Sequence, residues 1–171
     1  MKDKEMVLLS KGFDVKFNEH WRCVYISTPI YGEETSLPET FEILDYEEWL
    51  DEDELREVKA NALECAIYGN ISFKEAYEEG LLNRCWEKMQ EEINERIDAW
   101  ENVPKVERKI NGETVEMYTS WNESDGYITY SVTLEMSIEL YEKLSVEQIM
   151  DLFEEMIEQL NYPDLGLPEF I

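Results

Sequence analysis

Residues 105–136 constrain the fold of this chain more than any other stretch. They read as a three-stranded antiparallel meander. Asn111-Gly112 sits between two alternating segments, and Asn-Gly suits the type I′ turn, whose two central residues both need positive φ. Asn122 to Gly126 reads as the second turn. Beyond it, Ile128, Tyr130, Val132, Leu134 and Met136 alternate with Thr129, Ser131, Thr133 and Glu135. A period of two makes one face of that strand apolar and the other polar. An antiparallel sheet with one apolar face must bury it against a second layer.

The rest of the chain supplies that layer. Phe13, Val15 and Phe17 alternate with Asp14 and Lys16, and Arg22, Val24 and Ile26 alternate with Trp21, Cys23 and Tyr25, so the first 28 residues are predicted as strands. Pro29, Gly32 and Pro38 mark a loop. From Asp45 to Gly69 the period turns helical, with Trp49, Leu50, Leu55, Val58, Ala62 and either Cys65 or Ala66 near one face. Ser72 and Glu75 resemble a capping box for the next helix; Gly80 is predicted to interrupt it, and a long helix then runs to about Asn102. Leu82, Trp86, Met89, Ile93, Ile97 and Trp100 form its predicted core stripe. Ser145 with Gln148 caps a last helix whose stripe is Val146, Ile149, Met150, Phe153, Met156, Ile157 and Leu160. Leu165, Leu167, Phe170 and Ile171 are expected to pack back as a tail. The expectation is one α+β domain over 1–171: an antiparallel sheet, made by the N-terminal strands and the meander, packed with three to four helices.

Charge decides what such a body can bind. The chain of 171 residues carries 41 carboxylates and 15 Lys or Arg, a net −26. Solubility needs a magnitude of only about 2–8 in a small domain. The excess destabilises a compact state by self-repulsion, yet 12% aromatic content favours folding over disorder. DNA, RNA and anionic membranes repel such a surface, so no direct nucleic-acid or membrane binding is expected. A basic protein is the expected partner. No apolar run is long enough for a signal peptide or a membrane span, and three cysteines, Cys23, Cys65 and Cys85, suit reduced thiols, so a cytoplasmic setting is expected.

The acidity is clustered. Residues 33–57 hold twelve carboxylates against Arg56 alone, and 135–158 hold eight against Lys143. The candidate partner-binding carboxylates are Asp45, Glu47, Glu48, Asp51, Glu52, Asp53 and Glu54; the column Glu87, Glu91, Glu95 and Asp98; and Asp151, Glu154, Glu155 and Glu158 on the last helix. Lys88, Glu92 and Arg96 are spaced for i,i+4 pairs, whereas the Glu87 column has no base four residues away among its own members. Tyr31 in the loop and Trp121 beside a turn are candidate exposed anchors. With its small size, its acidity and clusters such as Asp51-Glu52-Asp53-Glu54 and Glu87/Glu91/Glu95, the chain resembles phage-encoded anti-CRISPR and antirestriction proteins. That resemblance implies a DNA mimic that occupies the basic groove of a nuclease. An immunity protein for a basic toxin, or a non-catalytic binding domain, is the alternative.

Catalytic parts are not expected. His20 and Cys23 lie three apart on a predicted strand and point to opposite faces, which opposes a nucleophilic dyad. Cys65 and Cys85 are twenty apart and lack the close pairing of a zinc site; they read as buried hydrophobes. The acidic run from Asp51 has Arg56 where a calcium loop needs glycine. No phosphate loop, nucleophile elbow or dinucleotide fingerprint occurs, and no cofactor is expected.

Overall fold

A computed structural model describes residues 3–37 and 42–167. Pro38, Phe170 and Ile171, assigned above to a loop and a tail, lie outside the described residues. The chain is α+β, with six helices and a five-stranded antiparallel sheet. It divides into two compact units: residues 34–95, and the remainder of the chain on either side of them.

The larger unit holds the sheet. Its strands are β1 (Asp14–Asn18), β2 (Cys23–Glu34), β3 (Val106–Ile110), β4 (Glu113–Ser124) and β5 (Tyr127–Ser137), in the spatial order β1-β2-β5-β4-β3. The N-terminal strands and the meander therefore share one sheet, joined where β2 meets β5. Asn111 (φ 52°) and Gly112 (φ 80°) make the first hairpin turn, as their chemistry requires. The second turn is narrower than Asn122 to Gly126: β4 runs to Ser124, which pairs with Tyr127, and only Asp125 (φ 52°) and Gly126 (φ 75°) turn. Asp-Gly carries the same left-handed preference as Asn-Gly, so the signal was local.

The alternation in β5 holds throughout. Ile128, Tyr130, Val132, Leu134 and Met136 are buried, and Val115, Met117, Val24 and Ile26 extend the apolar face. In β2 the buried positions change parity between Ile26 and Tyr31, across Pro29. β1 pairs only with residues 23–27 of β2, so Pro29 lies where β1 needs no amide from it. Three helices belong to this unit: α1 (Asp3–Ser10), α5 (Ile138–Lys143) and α6 (Val146–Gln159). Helix α6 starts on the Ser145/Gln148 capping box and buries Ile149, Leu152, Phe153 and Met156. Phe153 meets Phe13 edge-on at 4.9 Å between ring centroids. Each such buried side chain contributes roughly 1.5–3 kcal/mol.

Helix α1 corrects the expectation that residues 1–28 are all strand. Met6-Val7-Leu8-Leu9 is an apolar run without alternation, and such runs do not distinguish helix from strand. Only Leu8 and Glu5 of α1 are buried.

The smaller unit is helical: α2 (Ile43–Trp49), α3 (Glu52–Tyr68) and most of α4 (Phe73–Glu101). The single helix expected over 45–69 is broken at Leu50 and Asp51, whose extended backbone ends α2 and caps α3. Tyr46, Leu50, Val58, Leu81 and Cys85 form the core of this unit. Gly80 does not interrupt α4, which runs unbroken through it. A Cβ on Gly80 would stand 3.4 Å from the Val58 side chain, so the glycine marks the close approach of α3 and α4.

The stripe expected on α4 holds at Ile93 and Trp100, but its first half is shifted by one residue. Leu82 and Trp86 are 44% and 51% exposed, whereas Leu81 and Cys85 are buried with Ile93 and Trp100. Apolar residues occur there as doublets, Leu81-Leu82 and Cys85-Trp86, and the contact with α2 and α3 selects the first member of each. Cys65, expected in the core, is exposed, because the buried part of α3 narrows to Val58 and Ala62. All three cysteines are free thiols. Among the described residues, no helix is long and apolar enough to cross a membrane.

Candidate functional site

The candidate carboxylates fall on three helical surfaces. Those of α2 and α3, with Glu87, Glu91 and Glu95, belong to the smaller unit; Asp98 and those of α6 belong to the larger. The charge is denser in the smaller unit, where residues 34–95 carry nineteen carboxylates and five bases.

Local structure uses some of these groups. Asp45 bonds back to the Glu42 amide at 2.8 Å and closes the capping box of α2. Asp51 accepts from the Glu54 amide at 2.8 Å, and Glu54 from the Asp51 amide at 3.2 Å. That backbone bond is the main cause holding the Asp51 carboxyl below the usual carboxylate range. Much of the acidity of Asp51-Glu52-Asp53-Glu54 is thus an α3 start signal, placed where the helix dipole favours negative charge.

Glu54 is the exception among them. Only 14% of its side chain is exposed, and it takes Arg84 at 2.8 Å and Lys88 at 3.3 Å. Lys88 also donates to the Trp49 carbonyl at 2.8 Å. Glu54 is therefore a structural counter-ion and not a surface group. Lys88 and Arg96 turn away from the i,i+4 arrangement expected with Glu92, since Arg96 pairs with Glu33. The Glu87 column is not free of cations either, for Arg84 lies 3.6 Å from Glu87 and 3.8 Å from Glu91. Burial works to lower the Arg84 pKa, but Glu54, Glu91 and Glu87 together raise it.

What remains is exposed and unneutralised. Among the described residues, Glu48, Glu52, Glu95, Asp98, Asp151, Glu154 and Glu158 are exposed and hold no ion pair. Asp53 pairs with Arg56 at 3.0 Å, and Glu155 with Arg108 at 2.5 Å. Both contacts reach into solvent, where such pairs contribute about 0–1 kcal/mol. Glu47 is half-buried and, after burial itself, is what raises the Tyr77 phenol pKa. On α6, Asp151, Glu154 and Glu158 lie opposite the buried stripe at spacings of three and four.

Tyr31 is not an exposed anchor. It is 2% exposed and meets Trp100 edge-on at 5.8 Å and Tyr162 at 6.4 Å. Trp100 also meets Tyr130 at 5.9 Å, and its indole N–H donates to the Ser120 carbonyl at 2.9 Å. Beside this aromatic group, Glu33 takes Arg96 through two oxygens at 3.1 and 3.0 Å and accepts from the Tyr130 hydroxyl. Burial first, then Glu33, raises the Tyr130 phenol pKa. Sequence pattern alone does not reveal this constellation, because its members come from β2, α4 and β5 with no common spacing. Trp121 is 38% exposed, with its N–H donating to Glu101 at 2.6 Å.

No group of three or more metal-ligating side chains occurs among the described residues. His20 is exposed and stacks edge-on against Trp21 at 4.9 Å, and Cys23 donates to the Tyr25 hydroxyl at 3.2 Å. No family model, curated protein or solved structure matches this chain.

Proposed function

We propose that this chain is an acidic inhibitor that binds the basic nucleic-acid groove of a nuclease, of the anti-CRISPR or antirestriction type, and excludes DNA or RNA by charge mimicry. One observation carries the reading. Most carboxylates of residues 34–95 stand exposed on folded helices, and the five bases there are too few to neutralise them. Side chains fixed on helices present negative charge at regular intervals, about 6 Å along the axis for residues four apart. Neighbours at that distance repel by roughly 0.7 kcal/mol in water, a cost the fold tolerates and a cationic surface relieves. Binding of this kind is fast and weakens with salt. The partner would be a basic protein, with neither nucleic acid nor membrane bound directly.

The test is inhibition and its salt dependence. Saturating protein should abolish DNA binding by a susceptible nuclease in a gel-shift assay, and added salt should reverse the effect. A Glu87→Lys/Glu91→Lys/Glu95→Lys variant should lose most inhibition if α4 makes the contact. DNA binding that persists at saturating protein across a panel of nucleases would reject the reading. An immunity role against a basic toxin shares the same physics, and no feature of the structure favours it.

A further inference from the structure

Two concavities flank α4 in the smaller unit, on either side of Asn83, which lines both. One is a slot of about 580 Å³ lined by Thr35, Leu37, Tyr46, Leu82 and Trp86. The other is a groove of about 450 Å³ between α3 and α4, with Glu57, Glu79 and Glu87 along it. Among the described residues, Arg84 is the one cation lining that groove, and it is already held by Glu54 at 2.8 Å. Leu82 and Trp86 sit one turn apart at the slot, 44% and 51% exposed on a helix that buries Leu81 and Cys85 instead. Other apolar side chains of this unit, such as Ile67 and Tyr68, are exposed too, but Leu82 and Trp86 line a concavity with the edge of Tyr46, and an indole beside a leucine in a recess is the composition of an interface centre.

We propose that α4 between Glu79 and Glu87 is a recognition ridge, with the slot receiving one large apolar side chain of the partner and the groove receiving an adjacent Lys or Arg. The occupant is a basic protein segment that carries an aromatic or long aliphatic residue next to its cations. Charge complementarity selects it. Glu79 and Glu87 are eight residues apart, about 12 Å along the helix, and their field attracts a cationic segment, gives a neutral one no such gain and repels an acidic one. A purely cationic segment, or a nucleic-acid-like contact alone, would leave the slot in water. The inference deepens the inhibitor reading and rests on its basic partner.

The test uses the full chain and two synthetic fluorescent peptides of equal arginine content, one with a central Trp and its twin with Ser. Fluorescence anisotropy at low salt should show the Trp peptide binding about tenfold more tightly, and it should shift the Trp86 indole N–H resonance. Trp86→Ala and, independently, Leu82→Ser should each abolish the advantage while leaving the Ser peptide unchanged; both side chains are exposed, and circular dichroism checks folding. Glu79→Gln/Glu87→Gln should weaken both peptides. Equal affinities for the twins, or an advantage that survives both slot variants, overturns the ridge while salt-sensitive binding of both peptides leaves the inhibitor reading standing. Failure of both peptides to bind overturns both.

Discussion

At the scale of single residues, burial separates carboxylates that hold the fold together from those that face solvent. Glu33 is the clearest structural case. Its side chain is 7% exposed, and Arg96 and the Tyr130 hydroxyl satisfy it. Arg96→Met leaves that charge buried without its cation and is expected to cost about 3 kcal/mol, read from chemical denaturation. Tyr141 presents the opposite situation, since its hydroxyl is buried with no hydrogen-bond partner among the described residues. Tyr141→Phe is therefore expected to leave stability unchanged or raise it by up to about 1 kcal/mol. Burial, then the nearby Glu5, pushes the Tyr141 phenol up to about 12. The folded form thus holds that proton more tightly than the unfolded chain. The resulting stability is complete below about pH 10 and is lost as pH rises towards 12. Thermal melts across that window should show the loss, and it should shrink in Tyr141→Phe.

Among the elements, helix ends and one glycine are the informative positions. The Ser145 hydroxyl accepts from the Gln148 amide at 3.2 Å, and the Gln148 side chain accepts from the Ser145 amide at 2.8 Å. Ser145→Ala should cost about 1 kcal/mol in a thermal or denaturant melt. Gly80 lies inside α4 without a positive φ, and an added methyl would make an ordinary contact with Val58 at 3.4 Å. Gly80→Ala should therefore stabilise by about 0.5–1 kcal/mol through helix propensity. A larger side chain such as Leu should destabilise, and equal melting of all three would show that α3 and α4 do not meet there. These positions also show how far local signals reach. Capping boxes and hairpin turns are set by neighbours within four residues, and Ser145/Gln148 and Asn111-Gly112 are legible for that reason. The helix break at Leu50-Asp51 carries a local signal too, but its carboxylates read as surface charge because Asp and Glu serve both purposes.

For the whole molecule, the controlling quantity is the net −26. Self-repulsion on that scale opposes the compact state, and salt screens it over about 10 Å at 0.1 M. The melting temperature should rise between very low and moderate salt, while any association with a cationic partner weakens over the same range. A melting temperature indifferent to salt would mean that the carboxylates are far enough apart for repulsion not to matter. The sequence by itself determined the α+β class, the meander, the hairpin turns and the acidic character, because strand alternation, turn conformation and charge count are local or additive properties. Only the tertiary structure decided that Leu81 and not Leu82 faces the core, that Tyr31 is buried, that Glu54 is a counter-ion for Arg84 and Lys88, and that an apolar slot opens beside an acidic groove. Those outcomes depend on which surfaces meet in space, and no periodicity along one element encodes its neighbour.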